Sequence, residues 1–132
     1  MPFPGGAVPV YEKMVSSVGD YFEKRNKQKE NSIVNEITEI IRQTYTDNIS
    51  IALIAEQVHL TPNYVSMIFK KICGMTIMEF VTDLRIQKAK ELIVTTDLQI
   101  QEIAEYVGYN NQYYFSSVFK KKTGVQPKNY RR

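Results

Sequence analysis

Two short runs carry most of the side-chain chemistry in this sequence. The first holds Asn63, Ser66, Met67, Lys70 and Lys71; the second holds Gln112, Tyr113, Ser116, Ser117, Lys120, Lys121 and Lys122. Asn and Gln amides can each pair bidentately with adenine, Ser hydroxyls can serve several bases, and a Met side chain can pack on a thymine methyl. Lysines beside them suit phosphate oxygens, contacts that position a protein without reporting sequence. No Arg lies in either run, so bidentate guanine contacts are not expected and an A·T-rich duplex is the favoured ligand. The plainer alternative is two solvated polar faces, with Met67 and Tyr113 as packing or surface residues.

Other chemistries find little support. The single Cys73 excludes an internal disulfide, and one Cys with one His excludes a Cys/His zinc site. His59 has no Cys or Ser nucleophile beside it, and the chain holds no nucleophile elbow, P-loop or dinucleotide motif. No enzyme activity, catalytic residue, metal or cofactor is therefore expected. No stretch approaches the roughly 18 apolar residues of a membrane span, and nothing resembles a signal peptide. A membrane partner is not expected, and the lone thiol fits a reducing, cytoplasmic compartment.

Charge sharpens the picture. Residues 1–50 carry six Lys/Arg against seven Asp/Glu, whereas residues 51–132 carry eleven against seven. From residue 110 onward there are six basic residues and no acid: Lys120, Lys121, Lys122, Lys128, Arg131 and Arg132. A basic end of this kind points to a polyanionic partner. Lys70, Lys71, Lys120, Lys121, Lys122, Arg131 and Arg132 are the candidate phosphate ligands.

These residues need elements to aim them. The length of 132 residues suits one compact domain with a tail, or two very small ones. Residues 1–9, with three Pro and two Gly, read as a disordered lead-in. Tyr11–Phe22 has helical spacing with one apolar stripe, and the charged stretch Lys24–Glu30 ends it. Ser32 reads as the cap of a new helix carrying Ile33, Ile37, Ile40, Ile41 and Tyr45, stopped by Thr46-Asp47-Asn48. Ser50 caps a short helix to about Gln57. Thr61-Pro62 opens another that stops at Gly74, and Thr76 caps a long helix to about Val94. Two further helices run from about Ile100 to Val107 and from Gln112 to Thr123, ending at Gly108 and Gly124, and Pro127 opens a last turn. No alternating Val/Ile run suggests a strand. The class is all-α: seven core helices plus an amphipathic N-terminal one.

The chain also repeats itself. Ile54-Ala55-Glu56-Gln57-Val58 returns as Ile103-Ala104-Glu105-Tyr106-Val107, and Phe69-Lys70-Lys71 as Phe119-Lys120-Lys121. Gly74 returns as Gly124, and the offset grows from 49 to 50 through one extra residue near Asn110-Asn111. Each copy has the mechanics of a helix-turn-helix. Ala55 or Ala104 lets a second helix cross closely, and a turn follows at His59 or Gly108. Apolar residues then face inward: Ile54, Val58, Leu60, Val65 and Ile68 in one copy, Ile103, Val107, Tyr109, Phe115 and Val118 in the other. The expected units are a first helix-turn-helix at about 50–74, a linker helix at about 76–94, and a second helix-turn-helix at about 99–124. Together they make a domain over 31–132 behind a lead-in and connecting helix at 1–30.

The stretch Val107–Arg131 (VGYNNQYYFSSVFKKKTGVQPKNYR) resembles the signature of the AraC/XylS family of transcription regulators, and the likeness covers about residues 33–131. It implies seven helices, two helix-turn-helix subdomains bridged by a linker helix, and sequence-specific control of transcription. Positions matching Asn63, Ser66, Met67, Gln112, Ser116 and Ser117 read bases in that family; Tyr113 joins them from its outward helical position. The expected partner is double-stranded promoter DNA, with RNA polymerase a further one. The family usually carries another domain for ligand or phosphorylation input, so the chain resembles the output part of a bacterial response regulator in a two-component system, with a small stand-alone regulator as the alternative. The 10–22 stripe could alternatively pair two chains as a short coiled coil. Arg85, beside Asp83 in the linker, reads as a structural ion pair. A rival reading is a helical adaptor whose basic face meets an acidic protein.

Overall fold

A computed structural model describes the backbone of residues 10–131 and the side chains of residues 22–131. Among these residues every regular element is a helix: α1 (Val10–Thr44), α2 (Ile51–Val58), α3 (Pro62–Cys73), α4 (Ile77–Thr95), α5 (Ile100–Tyr106), α6 (Gln112–Thr123) and α7 (Pro127–Arg131). The expected lead-in at 1–9 lies outside the described residues. No described helix is long and apolar enough to cross a membrane.

The local signals sit where their chemistry requires. Ser50 accepts a hydrogen bond from the Leu53 amide at 3.1 Å, and Thr61 accepts one from Tyr64 at 3.2 Å. Thr76 and Glu79 form a reciprocal capping box, each side chain taking the other's backbone amide at 3.1 and 2.8 Å. Gly74 and Gly124 end α3 and α6 in the left-handed region, at φ 78° and 89°.

The N-terminal reading needs correction. Lys24–Glu30 does not break the chain; it is the middle of the 35-residue helix α1, and Ser32 is an interior residue rather than a cap. Lys, Arg, Gln and Glu are good helix formers, and the stretch holds no Gly or Pro, so a gap in apolar periodicity does not interrupt the helical backbone. Side chains 22–29 are exposed, and burial begins at Val34. The expected boundary at 30/31 thus falls inside a helix. The side chains of the 10–22 stripe lie outside the described residues, apart from an exposed Phe22.

Two small cores follow. The first packs Val34, Ile37 and Ile41 of α1 against Ile54, Ala55, Val65, Ile68 and Phe69 of α2 and α3, closed by Ile77 and Val81 of α4. The second packs Ile86, Ala89 and Ile93 of α4 against Ile103, Ala104, Val107, Tyr109, Phe115 and Phe119. One helix therefore contributes its first half to one core and its second half to the other, with Arg85 at the crossover.

The structure extends the internal repeat past its glycines. Phe69 meets Phe80 at 5.7 Å between ring centroids, and Phe119 meets Tyr130 at 5.4 Å. Phe80 and Tyr130 keep the offset of 50, so α7 is the counterpart of the first turns of α4.

Candidate nucleic-acid interface

Each candidate reading helix is held from beneath by the turn before it. In the first copy the Leu60 amide donates to the Ala55 carbonyl at 3.0 Å; in the second, the Tyr109 amide donates to Ala104 at 2.8 Å. The residue between helix and turn takes positive φ in both, 59° at His59 and 109° at Gly108. His tolerates the left-handed region better than most residues with a Cβ, which is how His59 stands where the second copy has glycine. Ala55 and Ala104 are almost wholly buried under the crossing helix.

The faces then divide by period. In α3, Val65, Ile68 and Phe69 are fully buried; in α6, Phe115 and Phe119 are. Asn63, Lys70 and Lys71 are exposed, Met67 is 55% exposed, and Ser66 is half-buried at the edge of the face. In α6, Ser117, Lys120, Lys121 and Lys122 are exposed, Tyr113 is 77% exposed, and Gln112 and Ser116 are half-buried. All seven candidate base-reading residues therefore reach the surface of their two helices. Asn111 caps α6, its side chain accepting from the amides of Tyr113 and Tyr114 at 2.8 and 3.0 Å, which fixes the start of that face.

Shallow grooves border both faces. One of about 550 Å³ is lined by Ser66, Met67, Lys70, Lys71, Ile51 and Met78. Another of about 560 Å³ places Gln112, Tyr113 and Ser116 beside Gln126, Lys128 and Asn129 of the α6–α7 corner. Of those last three the sequence pointed only to Lys128, as part of the basic C-terminal end; Gln126 and Asn129 join the site only because α7 folds back along α6.

The candidate phosphate ligands separate into kinds. Lys70, Lys120 and Lys121 form no ion pair among the described residues. Lys71 is paired with Glu30 of α1 at 3.1 Å, and Lys122 with Asp83 of α4 at 3.0 Å. Both pairs are partly exposed and exchangeable, since surface ion pairs are weak. Arg131 is different. Its guanidinium donates to the carbonyls of Ile93 (3.0 Å), Thr96 (3.1 Å) and Leu98 (2.6 Å), binding the end of α4 to the α4–α5 turn. With every nitrogen so engaged, Arg131 enters the site as a clamp instead of the phosphate ligand the sequence suggested. Arg85 is likewise structural, but its partners are backbone carbonyls of Tyr45 and Asp47, not Asp83.

Electrostatics follow the lysines. The Glu79 carboxyl at the start of α4 is held below its usual range, first by its hydrogen bonds with Thr76 and then by Lys70 and Lys122. Burial pushes the Tyr109 hydroxyl up, against the opposing pull of Arg85. Desolvation raises the Cys73 thiol, keeping it from thiolate character at neutral pH. Among the described residues, no group of three His, Cys, Asp or Glu could hold a metal ion.

Against known proteins, a helix-turn-helix domain family matches residues 54–132. The C-terminal domain of AraT, a response regulator from Geobacillus stearothermophilus, superposes with a TM-score of 0.74 at 39% identity, covering 76% of this chain and 84% of that one. The bifunctional transcriptional activator/DNA repair enzyme AdaA of Bacillus subtilis (strain 168) is 35% identical over 105 residues, 80% of this chain and 50% of AdaA. The arabinose operon regulatory protein of Escherichia coli (strain K12) is 39% identical over 84 residues, 64% of this chain and 29% of that protein. The chain thus spans half or less of these curated relatives.

Proposed function

The chain belongs to the AraC-type family of helix-turn-helix DNA-binding domains, and we propose that it binds double-stranded DNA by sequence to regulate transcription, with α3 and α6 in successive major-groove segments of one duplex. The observation that carries this reading is the paired division of faces. Val65, Ile68 and Phe69 are sealed in one core and Phe115 and Phe119 in the other, while Asn63, Ser66 and Met67, and Gln112, Tyr113, Ser116 and Ser117, stay accessible. In a helix-turn-helix it is the second helix, N-terminal part foremost, that meets base edges. Lys70, Lys120 and Lys121 are then the primary phosphate ligands, and Lys71 and Lys122 join once phosphate displaces Glu30 and Asp83.

The linker supports the two-groove geometry. At about 1.5 Å per residue, the 19 residues of α4 span roughly 28 Å, close to the ~34 Å of one duplex turn. The likeness to AraT supports a second level of the proposal: the domain is the output part of a response regulator, with α1 leading to an upstream regulatory domain and RNA polymerase as a partner on the promoter. The DNA repair named for AdaA is not carried over, since the chain matches only half of that protein.

Selection of bound duplexes from a random library, followed by titration with salt, tests the reading. The expected result is one enriched, non-palindromic site whose affinity falls steeply with salt. Enrichment of nothing, together with tight binding to an acidic protein, would instead favour the adaptor.

A further inference from the structure

Arg85 is the one polar or charged residue buried among the described residues, at 9% exposure, and the two surfaces it touches belong to different subdomains. On one side its Nε donates to the Tyr45 carbonyl at 2.6 Å and its Nη2 to the Asp47 carbonyl at 2.8 Å, both in the turn that follows α1 in the first subdomain. On the other side the guanidinium lies 5.1 Å from the centroid of the Tyr109 ring, in the turn of the second helix-turn-helix. Tyr109 in turn packs on Tyr114 and Phe115 of α6, at 5.8 and 5.6 Å. A continuous chain of contacts therefore runs from the first subdomain, through Arg85, to the helix proposed to read the second groove.

The neighbouring glycine is shaped to this contact. A Cβ at Gly108 would come within 2.9 Å of Cζ and Nε of Arg85, and the residue already sits at φ 109°. The other two left-handed glycines, Gly74 and Gly124 at the ends of α3 and α6, have open space around them. Gly108 thus clears the path for the guanidinium as well as making the turn. Arg131 offers the contrast: it clamps carbonyls of the α4–α5 junction entirely within the second subdomain.

We propose that Arg85, wedged between the Tyr45 and Asp47 carbonyls and Tyr109 and given room by Gly108, is a positioning residue that sets the spacing between the two DNA segments the protein accepts. This rests on the two-groove reading above. Base identity is read by side chains on α3 and α6; the distance and rotation between the helices is set here. A duplex with one base pair inserted between the segments displaces the second by about 3.4 Å, which a rigid pair of readers cannot follow. A loosened pair can.

The test uses Arg85→Gln and Tyr109→Leu, the second of which removes the ring but keeps the carbonyl bonds and decides the matter if the first does not fold. Affinities are measured for the selected site and for sites lengthened or shortened by one base pair. The unaltered protein is expected to prefer the natural spacing by roughly tenfold or more, the penalty of a misplaced base pair. The variants are expected to lose most of that preference while retaining the base preferences within each segment. In parallel, the native and exposed Cys73 on α3 and an introduced Gln101→Cys on α5 carry spin labels in DNA-free protein. The distance distribution should broaden in the variants. Unchanged spacing preference in a folded variant, or a uniform affinity loss with an unchanged distance distribution, overturns the proposal. Failure of the unaltered protein to select any duplex would refute the DNA reading itself, and the distance measurement would still judge the wedge.

Discussion

At the level of single residues, the proposed division of labour between reading and holding predicts opposite signatures for side chains that look alike in sequence. Gln112→Ala is expected to relax discrimination at one base position by about 1–3 kcal/mol, leaving other positions and the salt dependence intact. Lys120→Ala should weaken all duplexes alike and lower the slope of log affinity against log salt by about one, with little change in thermal stability. Arg131→Met should do the reverse. It strands three backbone carbonyls that now accept from a guanidinium, at a cost of about 1–2 kcal/mol given partial exposure, and lowers Tm by roughly 4–8 °C without changing the salt slope. Calorimetry and salt titration on the two variants distinguish the clamp from the phosphate ligand, and a lowered slope for Arg131→Met would restore the sequence assignment.

At the level of elements, α4 depends on its N-terminal box more than its weak amphipathicity would suggest, because it serves two cores with different faces. The Thr76 amide and the Glu79 carboxylate are 2.8 Å apart; that bond holds the carboxyl below its ordinary value of about 4.3, and Lys70 of α3 and Lys122 of α6 add to it. A carboxyl depressed in the folded state stabilises it above the unfolded-state pKa and loses that contribution as pH falls through the folded value. Thermal stability should therefore decline on acidification below about pH 4.5. Glu79→Gln, which can keep the box but cannot titrate, should flatten that part of the profile. An unaltered acid limb in Glu79→Gln would assign the decline to other carboxylates. The helix boundaries near these caps were legible in advance because a cap is a local event: hydroxyl or amide, then helix, then glycine. The continuity of α1 was not. The Lys24–Glu30 stretch lacks apolar residues, so apolar periodicity alone suggests an end there, although its Lys, Arg, Gln and Glu keep the helix going.

For the whole molecule, the proposed pair of unlike readers on one chain predicts an asymmetric site. Footprinting with a monomeric protein should protect two segments on one face of the duplex, about one turn apart and differing in sequence. Protection confined to one groove segment would mean that the second copy binds something else.

Composition and order of residues alone determined that this chain is helical, that its middle and end are two copies of one supersecondary unit, and which faces of α3 and α6 point away from the cores. Those features depend on periods of three to four residues and on caps next to their helices. Tertiary structure decided what each cation does. Arg85 finds its carbonyls 38 and 40 residues away, Lys71 its carboxylate 41 residues away, and Arg131 its carbonyls 33 to 38 residues away. A basic side chain has no period that marks its partner. Its range is long, its charge suits phosphate and carbonyl equally, and only the packing of α4 between two cores settles which one it meets.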